Sequence, residues 1–179
     1  MEEKTLSIKN IYKGRIIYVH VDDIELPDGK PGTREVVEHP GGVCIAALTD
    51  KDELLFVRQF RYPFKDEILE LPAGKMEKGE DPFATAQREL MEETGCTGKD
   101  WVFMGNMYPT PGICSETDRL YLCHVDKESG RLDLDEDEFI EPERVPLKRA
   151  AEMAMNGELP DAKTQLLVLK TVMYLNSGI

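Results

Sequence analysis

Apolar and polar positions along the chain alternate, run together or recur at helical spacing, and each change of pattern marks an element. In the first forty residues Ile17, Val19 and Val21 alternate with more polar neighbours, Asp28–Gly29 signals a hairpin turn, and Arg34–His39 resumes an extended run. Pro40–Gly41–Gly42 then interrupts the pattern. Val43–Leu48 is a short, continuous apolar run, and a polar turn at Thr49–Glu53 leads to a second strand around Leu54–Phe60. These two are expected to pair antiparallel in a core sheet. Trp101–Tyr108, Leu120–Val125 and Phe139–Val145 also read as strands. A turn-rich loop at Pro109–Asp118 and an acidic connector at Arg131–Glu138 separate them.

The clearest helix is Pro82–Thr94. Asp81 stands at the N-cap, Pro82 at the first helical position where its missing N–H costs nothing, and Gly95 just past the end. On a wheel of about 100° per residue, Phe83, Ala86 and Leu90 form its apolar stripe. Leu147–Asn156 is a second helix, ending at Gly157, and Asp161–Leu175 a third, with the apolar set Leu166, Leu169, Val172 and Met173. Strands mixed with three helices in this order predict an α/β or α+β sandwich. Residues 1–42 are expected to form a small N-terminal antiparallel sheet, leaning on the main fold or on another subunit, and residues 43–179 the main domain.

Composition narrows the functional classes. With 179 residues, 41% hydrophobic and 32% charged, the chain can close a core without disulfides or structural metals. Its net charge of −13 opposes nonspecific binding to nucleic acid or an anionic membrane, and at first sight a polyanionic substrate as well. Cys44, Cys96, Cys114 and Cys123 form no C-x-x-C pair, which suits a reducing compartment. The N-terminus lacks a basic start followed by an apolar run, and no stretch approaches the roughly 20 apolar residues of a membrane span. A cytoplasmic protein is expected.

The first helix concentrates the chemistry. Glu89 and Glu93 are spaced i,i+4 on one flank with Glu92 beside them, and Glu93 lies about 50° from the apolar stripe, so its carboxylate should be partly buried. Something positive must offset that cost. Arg88, four residues before Glu92, is one candidate; a divalent cation is the other, and an all-oxygen ligand set selects a hard ion such as Mg²⁺ or Mn²⁺. A solvated acidic face is the plainer alternative for such a cluster.

The spacing around this helix is more specific. Gly74, five residues, Glu80, seven residues, Arg88–Glu89–Leu90, one residue, Glu92–Glu93, one residue, Gly95 and Cys96 fill nine fixed positions across 23 residues. This resembles the Nudix box of the Nudix hydrolases, with Cys96 where an aliphatic residue is usual. The resemblance implies a Nudix-fold α/β/α sandwich with a mixed sheet. It also implies a loop–helix–loop that holds two or three divalent ions for cleaving a nucleoside diphosphate linked to another group. Carried over, Glu89, Glu92, Glu93 and the backbone carbonyl of Ala73 look like metal ligands. Arg88 resembles the residue that orients these carboxylates, and Glu80 a supporting residue.

Two flanking stretches resemble the ADP-ribose pyrophosphatase subfamily. Upstream, Val57–Pro63 followed by Glu70–Gly74 is similar to its strand and approach loop, and Thr33–His39 matches as well. Downstream, Tyr108-Pro109-Thr110-Pro111-Gly112-Ile113-Cys114-Ser115-Glu116 is similar to its Y-x-S-P-G-[FI]-S-x-E loop, with Pro111 at 16 residues past Gly95. The implied reaction is hydrolysis of ADP-ribose to AMP and ribose 5-phosphate, in a homodimer whose N-terminal sheet contributes to the adenosine pocket. Glu116 resembles the catalytic base, or a residue that only positions the water. Arg34 and Arg61 look like phosphate or ribose contacts, and Gly74 and Pro111 join them in the implied substrate site. Arg61 also reads as an ordinary surface ion-pair residue, with Arg58, expected on the same strand face, as its rival. Other nucleoside diphosphate sugars, with UDP or GDP, and a non-catalytic ligand sensor are the alternatives. Within this reading the acidic charge marks where cations sit.

Overall fold

The computed structural model describes residues 1–134 and 139–178; the end of the expected acidic connector, 135–138, lies outside the described residues. These residues fall into two compact units. The larger comprises Gly42–Met107 and the chain from Asp118 onward; the smaller comprises Met1–Gly41 and Tyr108–Thr117.

The larger unit is a mixed sheet between helices. Its strands are β4 (Gly42–Leu48), β5 (Glu53–Arg61), β6 (Asp66–Glu70), β7 (Ala73–Lys75), β8 (Cys96–Met107), β9 (Asp118–Glu128) and β10 (Ile140–Pro146). The order is β10-β5-β4-β9-β8, with β6 on β5 and β7 on β4. Only β4 and β9 pair in parallel within this order. Every residue of β4 is buried, which explains its continuous apolar sequence: a strand covered on both faces has no polar side. Its alternation sorts the core. Cys44, Ala46 and Leu48 join Leu120 and Leu122 of β9 on one face, under α2 (Leu147–Met155) and α3 (Ala162–Ser177). Val43, Ile45 and Ala47 join Tyr121 and Cys123 on the other, under Ala86 and Leu90 of α1 (Pro82–Thr94). The result is an α/β/α sandwich.

Helix α1 begins and ends where its caps demand. The Asp81 carboxylate accepts hydrogen bonds from the Phe83 and Ala84 amides at 3.0 and 3.1 Å. Gly95 adopts φ 68°, a left-handed conformation that suits glycine, and donates to Met91.

Two expected helix faces differ. Phe83 is exposed rather than part of the core stripe, and its ring meets Trp101 edge-on at 5.3 Å between centroids. In α3 the buried face is Thr164, Leu167, Val168 and Thr171, whereas Leu166 and Met173 are exposed. A hydrogen bond from the Leu71 amide to the Thr164 hydroxyl, at 3.0 Å, lets that polar residue turn inward. The strand at 96–107 also starts earlier than its apolar residues indicate, since register shifts interrupt its pairing with β9 and break the alternation.

The smaller unit is an antiparallel sheet of β1 (Lys4–Lys13), β2 (Tyr18–Glu25) and β3 (Pro31–Glu38), in that order. The β2–β3 turn falls at Asp28–Gly29 as the sequence indicates, with Gly29 at φ 81°. The buried face of β2 is His20, Asp22 and Ile24, not the Val19 and Val21 face. His20 Nδ1 lies 2.6 Å from the Asp22 carboxylate, so these polar residues satisfy each other and can be buried. Residues 108–117 belong to this unit. Val37 donates to the Ile113 carbonyl at 2.8 Å, and the Ser115 amide donates back to Val37 at 2.9 Å.

Candidate active site

Helix α1 buries the flank that carries Glu89 and Glu93, which are 8% and 3% exposed. Two carboxylates can occupy such a position only if something compensates for their desolvation. Part of the compensation is backbone. Strand β7 is pinned to β4 at Gly42, Val43 and Cys44, and the Ala73 amide donates to Glu93 Oε2 at 3.0 Å. The next residue leaves room for Glu89 only as glycine, because a Cβ at position 74 would fall 1.9 Å from the Glu89 carboxyl carbon and displace it. Gly74, expected at the substrate, therefore has a local reason to be glycine: it lets the strand pass against Glu89.

Arg88 supplies a further part. Its Nη1 lies 2.8 Å from Glu89 Oε1 and donates to Glu92 Oε2 at 2.7 Å, while Nε and Nη2 donate to the two Glu80 oxygens at 3.0 and 3.2 Å. One guanidinium thus joins Glu80, Glu89 and Glu92. The Arg88 hydrogen bonds hold the Glu80 carboxyl down at about 2, aided by the Glu77 amide, and the same acids raise the guanidinium's proton affinity.

Arg61 lies in the same unit at the end of β5. Its Nε and Nη2 donate to Oε1 and Oε2 of Glu70, at 2.6 and 2.8 Å. Glu70 is 2% exposed and also accepts from Lys163 Nζ at 2.6 Å. Lys163 in turn donates to Asp161, the N-cap of α3, at 2.8 Å. Burial is the largest influence on Arg61, Glu70 and Lys163 and disfavours each charge. The ion pairs outweigh it, so Glu70 titrates lower than usual and both cations higher. Arg58, three residues earlier and so on the opposite strand face, donates instead to Glu143 at 2.6 Å. Glu70 and Lys163 were not singled out from sequence. The available signals were a lone acid in the run Ile68–Leu71 and a lysine two residues past a capping aspartate.

The remaining sequence-derived candidates, Arg34, Pro111 and Glu116, belong to the smaller unit. Arg34 is paired with Glu3, its Nε donating at 2.9 Å. Pro111 lies in a turn closed by the Ile113 and Cys114 amides on the Thr110 carbonyl. Glu116 Oε1 lies 3.4 Å from His39 Nδ1, and that nitrogen accepts from the Gly41 amide at 3.1 Å. The geometry of each unit thus groups Ala73, Gly74, Glu80 and Arg88–Glu93 in one and Arg34, Pro111 and Glu116 in the other.

The donor chemistry of the α1 flank fits a hard divalent cation: carboxylates, with no thiolate or imidazole among them. Among the described residues no three acidic, histidine or cysteine groups already converge as a cage. Instead Glu89 and Glu92 are drawn to Arg88, and Glu93 to the Ala73 amide.

An α/β/α sandwich with a glycine strand laid against a buried, arginine-bound acidic helix defines a recognisable class. The chain matches the NUDIX domain over residues 38–165, and the nucleoside diphosphate sugar hydrolase N-terminal domain over residues 3–37. It belongs to the Nudix family. It is 43% identical to an ADP-ribose pyrophosphatase of Bacillus subtilis, covering 92% of this chain and 89% of that one. It is 40% identical to a methanol dehydrogenase activator of Bacillus methanolicus, covering 93% and 91%. A crystal structure described as an ADP compounds hydrolase superposes with a TM-score of 0.85 at 22% identity, covering 99% of this chain and 96% of that chain, and shares the fold.

Proposed function

We propose that this protein is a hydrolase that cleaves the diphosphate of ADP-ribose, releasing AMP and ribose 5-phosphate. The observation that carries the proposal is the buried Glu89–Glu93 flank held against Gly74, within a chain 43% identical to an ADP-ribose pyrophosphatase. Glu89, Glu92, Glu93 and the Ala73 carbonyl would hold Mg²⁺, or Mn²⁺, as two or three ions. Bound there, such ions supply positive charge to the diphosphate oxygens and make a water more acidic. Arg88 fixes the carboxylates between turnovers and prevents their mutual repulsion from opening the helix. Glu116 takes the proton of the attacking water, and Arg34 and Arg61 bind phosphate or ribose oxygens through their guanidinium N–H groups.

The active form is a homodimer. Its support is strand β1, exposed throughout, which presents Leu6, Ile8, Ile11 and Tyr12 to solvent; that much apolar surface calls for a partner. A reducing, cytoplasmic location suits the four unpaired cysteines. No described helix is long and apolar enough to cross a membrane.

The test is a comparison of kcat/KM for ADP-ribose, UDP-glucose, GDP-mannose and diadenosine polyphosphates with Mg²⁺. ADP-ribose is expected to be the best substrate. A better UDP- or GDP-sugar would overturn the substrate, and no cleavage of any compound would overturn the activity.

A further inference from the structure

The charge chain from α3 to Arg61 has features that ordinary stabilisation does not explain. Glu70 is nearly inaccessible and is fully used: both oxygens take Arg61, and one also takes Lys163. Burying ion pairs contributes little net stability, because desolvation offsets the attraction. What such a network does provide is fixed geometry. A two-point fork holds the guanidinium plane, whereas a single contact would leave it free to swing. The fork consumes Nε and Nη2 of Arg61. No hydrogen bond within the chain engages Nη1 among the described residues, and the side chain as a whole remains 36% exposed. The charge of Glu93 also favours the protonated guanidinium of Arg61. The anchor at the other end is rigid too: Asp161 caps α3 through the Thr164 amide at 2.9 Å, and the Thr164 hydroxyl accepts from Leu71, next to Glu70.

We infer that Glu70 and Lys163 are positioning residues that hold the Nη1 edge of Arg61 toward the substrate's diphosphate. The inference rests on the diphosphate-hydrolase reading above and assigns two residues to it. Neither touches substrate. Glu70 fixes the plane of the guanidinium. Lys163 keeps Glu70 ionised, so that Glu70 holds the Nε and Nη2 side of Arg61 and leaves the Nη1 edge to meet an anion.

The test is a double-mutant cycle on Arg61→Ala and Glu70→Gln, read in two ways. One is kcat and KM for ADP-ribose with Mg²⁺; the other is calorimetric affinity for inorganic pyrophosphate with Mg²⁺. Displacing an aligned group by about 1 Å can cost about 10²-fold. R61A and E70Q should each therefore lower kcat/KM by about 10–10²-fold, and R61A/E70Q should be no worse than R61A within twofold. Arg61→Lys, which keeps the charge but not the fork, should resemble E70Q. If the effects of R61A and E70Q multiply, Glu70 is only structural and the inference fails; it also fails if R61A binds pyrophosphate and turns over like the wild type. Glu70→Asp, which keeps the charge but withdraws it by one methylene, replaces E70Q in the cycle if circular dichroism shows the glutamine variant unfolded. A wild type that binds pyrophosphate but leaves ADP-ribose intact would fault the substrate reading alone, and the pyrophosphate cycle would still decide the role of Glu70.

Discussion

A methyl group on Gly74 would stand 1.9 Å from the carboxyl carbon of Glu89 and about as close to both its oxygens, at 2.0 and 2.2 Å. Glycine keeps space for this carboxylate rather than making a turn: its φ is not left-handed. Gly74→Ala must push the Glu89 side chain away from β7. Since Glu89 is the end of a flexible side chain, the fold should survive while the carboxylate moves. The expected result is an unchanged far-ultraviolet circular dichroism spectrum with kcat/KM lowered by about 10²-fold at fixed Mg²⁺. Activity within twofold of wild type would remove Glu89 from the site.

Glu116→Gln separates the two roles open to that residue. Loss of a general base costs about 10²–10⁴ in kcat, whereas loss of a residue that merely places the water costs less. Steady-state kinetics should show a kcat reduction in that range with the pH-rate profile losing its acidic limb. A reduction below tenfold would leave Glu116 a positioning residue.

Much of this was legible in the sequence, for physical reasons that differ by element. Helix α1 was readable to the residue because Asp81, Pro82 and Gly95 act locally, through caps that need no tertiary context. The acidic flank was readable because i,i+4 spacing fixes it. Helix α3 was readable as a helix but its inward face was not, since Leu166–Leu169 are apolar around more than half a turn and the true inward face includes Thr164 and Thr171. Strands β6 and β7 were missed because Asp66, Glu67, Gly74 and Lys75 give them no apolar alternation; pairing to β5 and β4 makes them strands. The partners of Arg61 were hidden for the same reason: Lys163 is 93 residues from Glu70, and only the fold joins them.

Glu80 gives a pH signature. Its carboxyl is held at about 2, mainly by the hydrogen bond from Arg88, against an ordinary value of 4.5. A folded-state value below the unfolded one means its contribution to stability is complete above about 4.5 and fades as pH falls toward 2. Glu80→Gln should therefore lower Tm at neutral pH by about 2–4 °C, the shift that about 1 kcal/mol produces in a chain of this size. The gap from wild type should close as the buffer is taken from pH 5 to about 2. A gap that stays constant over that range would show that the charge of Glu80 does not act through Arg88.

Strand β1 provides the check on assembly. Ile8 is 59% exposed in the middle of that strand. Light scattering coupled to size exclusion should give a dimer for the wild type, and Ile8→Asp should shift it to monomer at micromolar concentration. A wild type that is monomeric would end the assembly proposal.

The most direct measurement is separation of the products formed from ADP-ribose by wild type and Glu93→Gln, each with Mg²⁺ and with chelator. AMP and ribose 5-phosphate should form in equal amounts from the wild type with Mg²⁺ and stop with chelator. Glu93→Gln keeps an oxygen for the Ala73 amide at the cost of the charge. It should fold normally and lose at least about 10²-fold in rate, as removal of several kcal/mol of metal-dependent stabilisation requires. Equal product formation by the two proteins, or formation undiminished by chelator, would contradict a metal-dependent hydrolase built on the acidic flank of α1.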